Sequence, residues 1–244
     1  MNAGDVLQGK VALVTGAGSG LGAALCEVLC QAGAMTIAAD LRLEAAQSIA
    51  GRVRGFGCTC TALGMDVGDE RAVSVGMEEA IAQFGGLDIV VNNAGTDVTL
   101  PFDEPAVADW QRILATNLTG PFLVSRPVVR SMRARGGGHI VNIASTAAKR
   151  AWPNASAYRA SKWGLLGLSH ALHSELRGQG IKVSAVVAGG MRTPFLLHRF
   201  PDIDLACLQE PRNVAQAVLG LLMMPAKSVI PELMVLPMRE TSWP

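Results

Sequence analysis

The sequence predicts an α/β fold, a doubly wound parallel sheet of about seven strands with helices on both faces. Three observations predict it. Short apolar runs alternate with stretches of helical length, strand then helix six times before a last strand. The runs are mostly Val, Ile, Leu and Ala with little polar alternation, the pattern of strands covered on both faces. Glycine is over-used, at 27 of 244 residues against an ordinary share of about 7%, and several glycines cluster just after the first run.

The first strand is expected at 10–15. It runs into Thr15-Gly16-Ala17-Gly18-Ser19-Gly20-Leu21-Gly22, and a helix is expected at 21–32. Glycine permits tight turns and lets N–H groups approach a pyrophosphate, and the helix dipole adds favourable potential there. A glycine string alone is weak; between a strand and a helix it becomes a candidate dinucleotide cradle. The second strand, 35–40, ends on Asp40, 18 residues after Gly22. A carboxylate there can accept hydrogen bonds from an adenosine ribose and repels a 2′-phosphate. Asp40 therefore argues for NAD(H) over NADP(H), with Arg42 close enough to soften the preference; a helix cap is its other reading.

Helix 43–54, strand 59–66, helix 69–84 and strand 88–92 follow. The helical stretch 104–135 contains Pro121 and Pro127, which predict a kink or break. Strand 139–144, helix 155–177, strand 182–187, helix 211–224 and strand 233–236 complete the pattern. Segment 193–210 holds Phe195, Leu196, Leu197, Phe200, Leu205 and Leu208. An apolar segment beyond a strand's carboxyl end is a candidate substrate lid; a surface helix with a buried face is the alternative. No linker or repeat interrupts residues 1–244, so a single domain is expected.

Tyr158 and Lys162 stand four apart, which on a helix gives them one face. Tyrosine ordinarily titrates near pH ~10, and a cation beside it favours the phenolate and makes it a usable base. Tyr158 is the chain's one tyrosine. Ser145 follows the strand 139–144, at the carboxyl end where ligands of α/β sheets sit, and could hold a substrate oxygen beside it.

Composition excludes several classes. Lys plus Arg is 21 and Asp plus Glu is 20, a net charge of +1, so nothing steers the chain to nucleic acid. Arg126, Arg130, Arg133 and Arg135 read as a solvated face. The longest stretch without a charged residue, 11–26, is 16 residues, short of the about 20 that span a membrane. Residues 1–10 lack the apolar core of a secretory signal, and five cysteines suit a reducing cytoplasm. No metal is expected at Cys26 and Cys30 or at Cys58 and Cys60, which read as small hydrophobes. His139 reads as structural, and His170 and His173 as surface or subunit-contact residues.

Taken together, Thr15–Gly22 as Thr-Gly-x-x-x-Gly-x-Gly, Asp66-Val67, Asn92-Asn93-Ala94-Gly95, Asn117 within Thr116-Asn117-Leu118, Ser145 and Tyr158-x-x-x-Lys162 resemble the short-chain dehydrogenase/reductase family in its short single-domain form. The resemblance extends over about 9–236. It implies a Rossmann fold that binds NAD(P) and moves a hydride between nicotinamide and an alcohol or carbonyl compound. It gives Tyr158 the acid/base role. Lys162 would lower the phenol's pKa and hold the nicotinamide ribose, Ser145 would orient the substrate oxygen, and Asn117 would support a water-linked proton relay. The cofactor would lie against Gly16, Ser19, Gly20, Leu21, Gly22, Asp40, Asp66 at the adenine amine, Val67 at its ring, Asn93, Ala94, Gly95, Tyr158, Lys162, Gly189 and Thr193 at the carboxamide, with Asn92 steadying the sheet behind.

The chain departs from the family at Ala188-Gly189-Gly190, where a proline is usual, and in its ending, 236–244. The resemblance further implies a symmetric homo-oligomer, a tetramer, paired through 104–135 and 155–177. An NAD-dependent dehydrogenase of a small-molecule secondary alcohol or ketone, hydrophobic or bulky, is the leading expectation. A 3-oxoacyl-thioester reductase and a catalytically silent dinucleotide-binding regulator are the alternatives. Trp243 is expected to pack against protein.

Overall fold

The computed structural model describes residues 6–240; the expected contact of Trp243 lies outside them. Seven strands form one parallel sheet: β1 Val11–Thr15, β2 Met35–Asp40, β3 Cys60–Gly64, β4 Ile89–Asn92, β5 Gly138–Ser145, β6 Ile181–Ala188 and β7 Glu232–Val235. Their order is β3-β2-β1-β4-β5-β6-β7. The helices are α1 Gly20–Gln31, α2 Leu43–Arg54, α3 Glu70–Phe84, α4 Val107–Leu114, α5 Gly120–Ala134, α6 Ser156–Leu176, α7 Pro194–Leu197 and α8 Pro211–Leu222.

Strand side chains point alternately to opposite faces, and both faces of β1 are buried. Ala12 and Val14 pack into a core with Leu25 and Leu29 of α1, Ile49 of α2 and Val218 of α8. Val11 and Leu13 pack into a second core with Met77 of α3, Val128 of α5 and Leu176 of α6. This is why the strand runs show no polar alternation. Replacing a fully buried residue such as Leu13 by Ala would cost about 2–5 kcal/mol.

Three expectations shift. The strand expected at 59–66 is shorter, because β3 lies at the sheet edge and its pairing with β2 ends at Asp40 and Gly64. The prolines leave no gap in the long helical stretch. Pro121 is the second residue of α5 and cannot donate to the Asn117 carbonyl four positions back, and Pro127 lies within the helix. The irregularity falls upstream, where Ala115–Thr119 forms a π-turn joining α4 to α5. Segment 193–210 is not a surface helix: it contains the single turn of α7 and a short 3₁₀ turn, Leu205–Cys207. Among the described residues no helix is long and apolar enough to cross a membrane.

Candidate active site

The carboxyl ends of β1, β2, β4, β5 and β6 open onto one cavity of about 980 Å³. At its first end the loop after β1 is shaped by close approach. Gly16 has φ +63°, and a Cβ there would stand 2.7 Å from Ala94 Cα; a Cβ on Gly22 would stand 2.1 Å from the Gly16 carbonyl. Only glycine fits either place. Ser19 precedes α1 with extended backbone and no capping bond from its side chain, so the first-turn N–H groups remain available to an acceptor. Asn93 holds the loop from beneath, donating from Nδ2 to the carbonyls of Thr15 at 2.9 Å and Gly16 at 3.1 Å.

Asp40 stands at the end of β2 beside this loop. Its Oδ2 accepts from Gly18 N at 2.8 Å and its Oδ1 from Arg42 N at 3.0 Å. The Arg42 guanidinium lies 4.0 Å from the same carboxylate and is mostly exposed. Asp66 accepts from Gly68 N at 2.8 Å, and buried Val67 adjoins it; both line the cavity.

At the other end Ser145 closes β5 and Tyr158 and Lys162 lie on α6. Ser145 Oγ accepts from Ala147 N at 3.1 Å, and both Ser145 and Tyr158 line the cavity. Lys162 is buried; its Nζ donates to the Ile143 carbonyl at 2.9 Å and lies 5.7 Å from the Tyr158 ring centroid. Burial pushes Lys162 down from 10.5 to about 8, against the pull of Asp97.

The sequence reading expected Lys162 to hold the phenol low. Instead, burial pushes Tyr158 above its ordinary value. The groups that oppose this are the Ser145 hydroxyl and the Arg199 guanidinium, while Asp97 adds to the rise.

Asn117, within the π-turn, is fully buried and lines no part of the cavity. Its Oδ1 accepts from Thr96 N at 2.8 Å, and its Nδ2 donates to the Thr96 carbonyl at 2.8 Å and to Ser161 Oγ at 3.0 Å. Gly95 sits between Asn117 Oδ1 and Lys162 Nζ, its added Cβ falling 3.5 and 3.7 Å from them. Asn92 works behind the site: its Nδ2 donates to Asn142 Oδ1 at 2.8 Å, across the β4–β5 pair.

Gly16, Ser19, Gly20, Leu21, Asp40, Asp66, Val67, Asn93, Ala94, Gly95, Ser145, Tyr158, Lys162, Gly189 and Thr193 all line the cavity, whereas Gly22 and Asn117 stand behind its wall. Ala188 replaces the expected proline without freeing the wall. It is buried in β6, paired with Ser145 and Val235, and Gly189 N donates to the Val235 carbonyl at 2.9 Å. The segment 193–210 borders the cavity through Phe195, Leu196, Phe200 and Leu208, with the Phe195 ring 6.0 Å from that of Tyr158.

Sequence reasoning missed Asp97 and Arg199. Both line the cavity and form an ion pair. The available signal was a lone arginine in an apolar segment and an acid two residues past Gly95. No three His, Cys, Asp or Glu side chains among the described residues are grouped to hold a metal.

The uncapped helix start, the glycine cradle and the cavity of about 980 Å³ together fit a dinucleotide. Comparisons point the same way. Residues 10–203 match the family model described as short chain dehydrogenase. D-threitol dehydrogenase of Mycolicibacterium smegmatis is 41% identical over 187 residues, covering 74% of this chain and 69% of the relative. A metagenomic short-chain oxidoreductase solved with NADP aligns at TM-score 0.85 and 31% identity, over 96% of this chain and 99% of that one. The 3-ketoacyl-(acyl-carrier-protein) reductase of Brucella melitensis, solved with NADH, aligns at TM-score 0.86 and 31% identity over the same shares.

Proposed function

The chain belongs to the short-chain dehydrogenase family, and on that premise we propose that it oxidises a secondary alcohol, or reduces the matching ketone, with NAD(H) preferred to NADP(H). The observation that carries the reading is one cavity with an uncapped helix start and Asp40 at one end and Ser145, Tyr158 and Lys162 at the other.

The loop Gly16–Gly22 and the first turn of α1 would hold the pyrophosphate, and Asp40 the adenosine ribose. Asp66 and Val67 would meet the adenine; Asn93, Ala94, Gly95, Gly189 and Thr193 would form the remaining wall. The bound cofactor supplies or accepts the hydride. Ser145 Oγ donates to the substrate oxygen and fixes it beside the phenol. Tyr158 removes the hydroxyl proton of the alcohol during oxidation and returns one to the ketone oxygen during reduction. Its raised pKa favours the protonated phenol at neutral pH, which suits donation to a ketone; Ser145 and Arg199 make the reverse step less costly.

Lys162, still largely charged at neutral pH, stabilises the phenolate and would touch the nicotinamide ribose. Asn117 acts by positioning, holding Thr96 and Ser161, and would support a water-linked proton relay. The segment 193–210 would cover bound substrate. We further propose a cytoplasmic homotetramer.

The test is a turnover screen of secondary alcohols and ketones, with NAD(H) and NADP(H), alongside an acetoacetyl thioester. NAD-dependent turnover of a plain alcohol or ketone supports the reading. Turnover of the thioester alone would replace it with an acyl-thioester reductase, and cofactor binding with no turnover of any compound would leave a silent binding protein.

A further inference from the structure

The cavity wall beside Tyr158 contains an ion pair, Asp97 with Arg199, to which the proposed chemistry assigns no contact with substrate. Asp97 follows β4, and its side chain is 2% exposed where it meets Arg199 Nη1. Its Oδ1 accepts from Val98 N at 2.7 Å, and its Oδ2 accepts from Thr99 Oγ1 at 3.4 Å as well as from Arg199.

Arg199 is held firmly. Its Nε donates to the Phe195 carbonyl at 2.9 Å, and its Cζ lies 4.0 Å from the Phe195 ring centroid. The same Cζ is 5.8 Å from the Tyr158 ring centroid. Among the described residues, Nη2 forms no hydrogen bond.

The pair thus borders the cavity with donors on Nη2 and a spare lone pair on Asp97 Oδ1. A hydrocarbon placed there would leave those positions unpaired, and sites built to bond a hydroxyl reject analogues that lack it. A carboxylate would meet a guanidinium already neutralised, and Asp97 would repel it. A neutral hydroxyl satisfies both partners, accepting from Arg199 and donating to Asp97. The guanidinium carbon lies 5.8 Å from the Tyr158 ring centroid, so a group bonded to it belongs to the part of the substrate close to the reacting carbon.

We propose that Asp97 and Arg199 form a specificity pair that reads a second, neutral hydroxyl beside the reacting carbinol, so that the substrate class is a vicinal diol or its hydroxyketone. This rests on the dehydrogenase reading above and adds to it the identity of the substrate's neighbouring group.

Three probes share one reacting group and differ beside it: butan-2-ol, butane-2,3-diol and 3-hydroxybutanoate. The wild type should favour the diol over butan-2-ol by at least about tenfold in kcat/KM, with the hydroxy acid poorest. Arg199→Met should bring the diol-to-butanol ratio towards one. Asp97→Asn leaves the guanidinium without a counter-charge, so the ratio of 3-hydroxybutanoate to butan-2-ol should rise by about tenfold or more. NADH fluorescence titration establishes that each variant is folded.

A pair that merely latches the segment 193–210 would lower all three probes together and leave the ratios unchanged, which overturns the proposal. So does a wild type that treats diol and mono-alcohol alike or prefers the hydroxy acid. Binding of the probes to the protein–NADH complex, read by saturation-transfer NMR, separates the two readings. Diol-selective binding without turnover of any probe rejects the dehydrogenase chemistry and keeps the specificity pair; unselective binding rejects the pair whatever the turnover.

Discussion

Lys162 Nζ donates to the Ile143 carbonyl at 2.9 Å, which ties a buried ammonium on α6 to the strand that ends in Ser145. Tyr158 and Lys162 therefore contribute differently to one site. Tyr158→Phe removes the hydroxyl that moves the proton and leaves the cofactor wall intact. Turnover should fall by about 10²–10⁴-fold, the usual scale for a lost acid/base, while NADH affinity stays within about threefold. Lys162→Met should damage both turnover and NADH binding. Steady-state rates and NADH fluorescence titration check the pair of outcomes; wild-type turnover in Tyr158→Phe would remove its acid/base assignment.

Asp40 is expected to set the choice of cofactor. Each of its oxygens accepts one backbone N–H, which fixes the carboxylate and leaves further lone pairs for two ribose hydroxyls. Charge-assisted bonds of this kind contribute about 1.5–3 kcal/mol each. A 2′-phosphate removes one hydroxyl and brings like charges together, so NAD should be preferred by tens to hundreds of fold. The exposed Arg42 works against this by offering a phosphate a partner. Asp40→Ala should weaken NAD and relax exclusion of NADP. Comparing kcat/KM for both cofactors in both proteins decides it; an unchanged ratio would reduce Asp40 to a backbone clasp for Gly18 and Arg42.

How much of this was legible follows from where the determinants lie. The strands of a sheet covered on both faces announce themselves as continuous apolar runs, so β1 to β7 were all anticipated. The candidate site was legible where its residues are contiguous or at fixed spacing, as in Thr15–Gly22 and Tyr158 with Lys162. The π-turn at Ala115–Thr119 was legible only as an irregularity: Pro121, four positions past Asn117, signals a kink or break in the stretch but not that it takes the form of a π-turn. Asp97 and Arg199 are 102 positions apart, and only tertiary packing makes one site of them. The direction of the Tyr158 shift was hidden for a related reason: sequence shows the neighbouring cation but not the depth at which the phenol is buried.

The exposed aromatic and aliphatic side chains of the α4–α6 region are expected to lie between subunits. Val107 is 72% exposed, Trp163 54% and Phe122 45%, more apolar surface than isolated solvation favours. Light scattering at micromolar concentration should report a mass several times 25.5 kDa. Phe122→Asp or Trp163→Asp should shift it to smaller species by placing a charge where desolvation is costly. A wild-type monomer at that concentration would refute the proposed assembly.

His139, at the end of β5 opposite Ser145, is expected to make the fold sensitive to acid. His139 is buried on β5, with Nε2 2.8 Å from Ser184 Oγ. Ser184 Oγ in turn donates to the Ile230 carbonyl at 2.6 Å, so it accepts from His139, which fixes the neutral ring with its proton on Nε2. Burial, aided by the nearby Lys182 charge, pushes His139 down from the ordinary 6.5 to about 3. Between those values the unfolded chain binds a proton that the folded chain does not, so stability falls as pH drops from 6.5 towards 3. At 1.36 kcal/mol per pH unit, this one residue costs about 3 kcal/mol at pH 4.5. His139→Gln keeps an N–H donor in the strand without a titrating ring. It should lose some stability at pH 7.5 through imperfect packing, yet show a flatter decline on acidification. Denaturant midpoints of the two proteins at pH 7.5 and pH 4.5 measure the difference, with other acid-sensitive groups common to both. Parallel declines in wild type and variant would mean that His139 is not the group whose charging destabilises the fold.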